Sequence, residues 1–141
     1  MRLLLDVDGV IVRDQVLLGH VKHNIVRYVK QKIPNCSAPA KLNDMLYTKY
    51  GHTSKGLVRE FGVDTRDFNE YVYDKHVLGH LYDFIKTTDD FKRDVETIKD
   101  ISHTWDVELF SNAPLSWTLP ICFELGYGCT ACGVYDKPNM D

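Results

Sequence analysis

The sequence predicts an α/β fold, a parallel sheet core interrupted after its first strand by an all-helical insertion. Three observations predict it. A short apolar run, Leu3-Leu4-Leu5, opens the chain and ends in the acids Asp6 and Asp8 and in Gly9. Helical periodicity then fills residues 14 to 85. Beyond it, helix and strand patterns alternate, the order expected of parallel strands joined by crossovers.

The opening run is apolar on both faces, which suits a central, buried parallel strand. From Leu17 to Ile33, Val21, Ile25, Val26 and Val29 recur at helical spacing, with Lys22, Arg27, Lys30 and Lys32 between them. Pro34-Asn35 stops this helix. A second runs from Pro39, suited to a first turn, to Tyr50, with Gly51 at the exit. Thr53 or Ser54 caps a third that ends at Gly62. Asp64 to Asp67 opens a fourth, with Phe68, Tyr71 and Val72 on its apolar face.

After the insertion, Asp89 to Ile101 reads as a helix with Phe91, Val95 and Ile98 on one side. Trp105 to Phe110 reads as a strand, broken by Ser111-Asn112-Ala113-Pro114. A helix from Pro114 to Leu125 follows, and Gly126-Tyr127-Gly128 ends it. Cys129 to Tyr135 is strand-like, and Asp136-Lys137-Pro138 comes next. The domains expected are therefore a core of residues 1–13 and 86–141 and a helical cap of residues 14–85.

In open parallel sheets, ligands gather at the carboxyl ends of strands. Three polar breaks fall at such ends: Asp6 to Asp8, Ser111-Asn112, and Lys137. Carboxylates at i and i+2 leave an extended backbone on the same side, and Gly9 permits the chain to turn there. One carboxylate of such a pair can attack phosphorus. The other can protonate the leaving oxygen and then activate water. Two clustered carboxylates repel, so Mg²⁺, which prefers carboxylate and phosphate oxygens, is expected between them and a phosphate. The Ser111 hydroxyl and the Asn112 backbone N–H suit phosphate oxygens near a helix start. Lys137 supplies positive charge for the phosphoryl group.

Composition narrows the alternatives. With 17 basic against 20 acidic residues the net charge is -3, and no basic block stands out, which argues against a nucleic-acid polymer as partner. No apolar stretch approaches the roughly 18 residues of a membrane span, and Asp6 and Asp8 interrupt any resemblance to a signal peptide. A cytoplasmic protein is expected. Cys129 and Cys132 form a C-x-x-C pair, read as part of a small-residue strand segment because zinc needs about four ligands. His20 and His23, and His76 and His80, have helical spacing but no convincing third ligand, and are read as a solvated cap face. Most of the cap aromatics are assigned to packing, with one or two as candidates to stack on a nucleobase, and Trp105 and Trp117 are assigned to the core.

Together, Asp6-Val7-Asp8-Gly9-Val10, Ser111 after Val107 to Phe110, and Lys137-Pro138 resemble the first three motifs of the haloacid dehalogenase superfamily. A helical cap between the first and second motifs is typical of it. Within the superfamily, Tyr47 to Gly51, Gly56 to Val58, Phe68 to Val72 and Phe110-Ser111-Asn112-Ala113 look like pyrimidine 5'-nucleotidase-like phosphatases. The resemblance implies a Rossmann-like core and Mg²⁺-dependent hydrolysis of a phosphomonoester through an aspartyl-phosphate. It makes Asp6 the nucleophile and Asp8 the acid/base. Gly9, Ser111, Asn112 and Lys137 would bind the phosphate, and Lys137 would also steady the reacting groups. Asp6 and the main-chain carbonyl of Asp8 would hold the metal. The implied substrate is a small phosphorylated metabolite such as a nucleoside monophosphate.

One departure qualifies the resemblance. The family's fourth motif, an acidic pair after a further strand, has no counterpart in the four residues after Lys137. The expectations are then a core lacking its C-terminal strands, with an open sheet edge that invites pairing with a second copy. Such a chain is either a shortened form of a longer enzyme or a catalytically inactive domain that binds a partner or a phosphorylated ligand.

Overall fold

The computed structural model describes residues 1–126 throughout and, for 131–136, the backbone. Ten elements follow in order: β1 (Arg2–Asp6), α1 (Gln15–Lys32), α2 (Pro39–Tyr50), α3 (Thr53–Phe61), α4 (Thr65–Val72), α5 (Lys75–Thr87), α6 (Asp89–Ile101), β2 (Asp106–Ser111), α7 (Leu115–Leu125) and β3 (Ala131–Asp136).

The expected Rossmann-like α/β core is overturned. Helix dominates the described residues, with seven helices against one small parallel sheet. Only β1 and β2 are described with their side chains, and β3 adds to β2 through its backbone in the order β1-β2-β3. Among the described residues the strand read as central stands at the sheet edge: β1 pairs there with β2 alone, and Leu4 is 54% exposed. A run of three leucines is too short for periodicity to tell a strand buried on both faces from one covered on a single side. In β2, by contrast, Val107, Glu108 and Leu109 are all buried, the pattern of a strand flanked on both sides.

The chain forms two compact units, Met1–Leu18 with Leu78–Asp141, and Gly19–Val77. In the first, β1 and β2 run parallel, with Leu3 opposite Val107 and Leu5 opposite Leu109. Asp14 opens α1, its Oδ1 accepting from the N–H groups of Val16 at 2.8 Å and Leu17 at 3.2 Å. In α6, Phe91, Val95 and Ile98 recur at i, i+4 and i+7 and are buried. Asp89 and Asp90 occupy its first turn, where the helix dipole favours negative charge. Trp117, Ile121 and Leu125 repeat at i, i+4 and i+8 along α7 and are fully buried.

The second unit is helical. Tyr28, Val29, Leu46, Leu57, Phe68 and Val72 fill its interior. Buried Asn24 is satisfied by the Val72 carbonyl, to which its Nδ2 donates at 2.9 Å. The Tyr28 ring meets Phe68 and Tyr71 edge-on, and its hydroxyl donates to Asp67 at 2.8 Å. The cap of α3 differs from expectation. His52 takes the N-cap position, its Nδ1 accepting from the Ser54 N–H at 3.1 Å, while Thr53 and Ser54 lie inside the helix. Thr53 instead donates its hydroxyl to buried Asn43. His20 and His76 are in edge-on ring contact, with centroids 5.9 Å apart.

Candidate functional site

At the carboxyl end of β1 the chain turns back sharply. The Val7 carbonyl accepts from the N–H groups of Ile11 and Val12, both at 2.9 Å, and the Gly9 N–H donates to the Val12 carbonyl at 2.8 Å. Gly9 has φ +83°, a left-handed conformation that costs a residue with a Cβ roughly 1–2 kcal/mol. Val7, Ile11 and Val12 are buried beneath the turn, which fixes its backbone and leaves Asp6 exposed and Asp8 partly buried.

The two acids differ in environment. Oδ1 of Asp6 accepts from the Val7 N–H at 2.8 Å, and its carboxylate is open to solvent. Asp8 is gripped from α7: the indole Nε1–H of Trp117 donates to Asp8 Oδ1 at 2.8 Å. Burial pushes the Asp8 carboxyl up to about 6, against the opposing effect of the Trp117 hydrogen bond, and the nearby charge of Asp6 adds a further upward push.

Register brings the second polar break to the same sheet end. Asp6 pairs with Phe110, so Ser111 and Asn112 follow directly on the neighbouring strand. Ser111 is buried, and its Oγ accepts from the Ala113 N–H at 2.9 Å. A hydroxyl that accepts one bond still has its own hydrogen to donate. Oδ1 of Asn112 is buried and has no partner among the described residues. Ser111 also pairs with Asp136 in the backbone register of β2 and β3. Lys137, Cys129 and the side chain of Cys132 lie outside the described residues.

The oxygens available suit a hard cation. Among the described residues, the backbone hydrogen bonds of the turn end on the Val7 and Val12 carbonyls, so the Asp8 carbonyl takes part in none of them. That carbonyl and the exposed Asp6 carboxylate are oxygen donors of the kind Mg²⁺ selects.

Two features were not readable in the sequence as parts of a site. Trp117, assigned to the core, is fully buried, yet its polar edge reaches Asp8. The only available signal was the general need of a buried indole N–H for an acceptor. The second is a cleft of about 580 Å³ between α5 and α7, lined by Leu78, Tyr82, Ile85, Leu119 and Phe123 among others. None of Asp6, Asp8 or Ser111 lines it.

Comparison with family models, curated proteins and solved structures finds no match to this chain.

Proposed function

We propose that the chain is a Mg²⁺-dependent phosphomonoester hydrolase of the cytoplasm. Its substrate is a small phosphorylated metabolite such as a nucleoside monophosphate, and the reaction passes through an aspartyl-phosphate. The reading rests chiefly on the unequal pair at the end of β1: an exposed Asp6 beside a partly buried Asp8 whose carboxyl is pushed up to about 6. A carboxyl raised in this way suits a proton carrier working near neutral pH, and the exposed carboxylate beside it suits a nucleophile.

In this mechanism an Asp6 carboxylate oxygen attacks phosphorus and the bond to the leaving oxygen breaks. Protonated Asp8 gives its proton to that oxygen, so an alcohol departs and Asp8 is left ionised. A water then attacks the phosphoryl group, Asp8 takes its proton, and Asp6 is released with inorganic phosphate. The Ser111 hydroxyl and the Asn112 N–H hold the non-bridging oxygens, with Lys137 as the cationic partner. Asp6 and the Asp8 carbonyl would hold Mg²⁺, which when bound screens the charge of the transferring group.

The test is phosphate release from a panel of nucleoside monophosphates, with Mg²⁺ or with EDTA, using Asp6→Asn as control. Metal-dependent release that disappears in a folded Asp6→Asn protein supports the reading. Unchanged release in Asp6→Asn rejects the assigned nucleophile. Absence of release from the folded wild type rejects the enzyme in favour of a non-catalytic domain.

A further inference from the structure

We propose that Trp117 is the positioning residue for Asp8, holding one carboxyl oxygen so that the other carries the transferable proton. The inference rests on the acid/base role given to Asp8 and adds a residue that role requires. An indole N–H donates and cannot accept. The oxygen it engages, Oδ1 at 2.8 Å, is therefore held as an acceptor, which leaves Oδ2 as the oxygen available for proton exchange. Among the described residues Trp117 is the one side chain that hydrogen-bonds Asp8.

The clamp is rigid at both ends. Trp117 is fully buried in the first turn of α7, and its backbone N–H donates to the Pro114 carbonyl at 3.0 Å. Asp8 sits in the hydrogen-bonded turn of Val7 to Val12. Pro114 follows Ser111 and Asn112 by a few residues, so the helix that carries the clamp starts beside the predicted phosphate ligands. A proton donor fixed in direction gains rate through orientation rather than through tighter substrate binding.

The experiment pairs kinetics with a spectroscopic reading of the bond itself. Trp117→Phe keeps an aromatic ring and removes the N–H. On a nucleoside monophosphate, whose leaving alkoxide needs a proton, kcat/KM is expected to fall by about tenfold or more, part of the ~10²–10⁴-fold that acid/base catalysis supplies. On 2,4-dinitrophenyl phosphate, whose leaving group needs no proton, kcat/KM should stay within about threefold of wild type, the residual allowed to imperfect positioning. Asp8→Asn should show the same selectivity. Equal losses on both substrates, or none on either, overturn the positioning role.

The chain has two tryptophans, so the indole N–H region of a ¹⁵N spectrum holds two signals. The Trp117 signal is expected to shift in Asp8→Ala, a variant that leaves Trp117 in place, while that of Trp105 stays put. An unmoved Trp117 signal shows that the bond is missing and overturns the proposal without any assay or any need for Trp117→Phe to fold. An intact bond in a wild type that releases no phosphate identifies a different failure, that of the phosphatase reading, and removes the positioning role along with it.

Discussion

Trp117 and Asp8 stand 109 positions apart in the chain and 2.8 Å apart in the fold, joined by an indole N–H donated to a carboxyl oxygen. The bond links the first helical turn after β2 to the turn after β1. It offsets part of the cost of burying Asp8, and burial still prevails, since the carboxyl is pushed up to about 6 from 3.8. Stability, proton affinity and the proposed chemistry thus meet at one side chain.

The raised affinity of Asp8 for its proton sets a pH dependence of stability. The folded state holds this proton more tightly than the unfolded chain does. Its contribution is therefore fully present below about 3.8 and is lost as pH rises through about 6. The difference is about 3 kcal/mol at 1.36 kcal/mol per pH unit. Asp8→Asn cannot ionise and keeps an oxygen for Trp117 to donate to. In EDTA it is expected to unfold at higher temperature than wild type at pH 8, with the gap closing towards pH 4. A gap independent of pH would show that Asp8 is not the group responsible.

At Gly9 the cost of a side chain is conformational alone. Its φ is +83°, and a Cβ built there meets nothing within 4 Å. Gly9→Ala should lower stability by roughly 1–2 kcal/mol, read as a lower urea midpoint at unchanged slope. Gly9→Asn should recover part of the loss, because asparagine tolerates the left-handed region. Equal losses in both variants would point to crowding instead.

Gly56 presents the opposite case. A Cβ there would lie 2.8 Å from both Leu46 Cδ2 and Tyr50 Cδ2, where α3 approaches α2. Alanine would gain about 1 kcal/mol in helix propensity. Overpacking costs about 1–3 kcal/mol, and Leu46 is fully buried and cannot swing into solvent. Gly56→Ala is therefore expected to destabilise. A raised thermal midpoint would mean that the two helices move apart at little cost.

Asp64 caps α4, its Oδ1 accepting from the Arg66 N–H at 2.8 Å. Asp64→Ala should cost about 1 kcal/mol, and Asp64→Asn or Asp64→Ser much less, because either retains an accepting oxygen. Chemical denaturation of the three variants side by side separates a capping role from a charge effect, which would penalise Asn and Ser as much as Ala.

Local structure was legible where local physics decides it. Pro39 and Gly51 bracket α2, Gly62 ends α3, and the Phe91, Val95, Ile98 stripe marks α6, because caps and periodicity act within a few residues. The carboxylate turn after β1 was legible too, since acids and a glycine after an apolar run leave few conformations. Tertiary structure decided the rest. Among the described residues it put β1 at the sheet edge, which three leucines cannot reveal, because strand order depends on partners a hundred residues away. It put His52 rather than Thr53 at the N-cap of α3, with Thr53 inside the helix donating to Asn43 across from α2. And it turned Trp117 from a core residue into the partner of Asp8, a contact that no spacing encodes, since only packing brings an indole N–H within reach of one particular carboxyl.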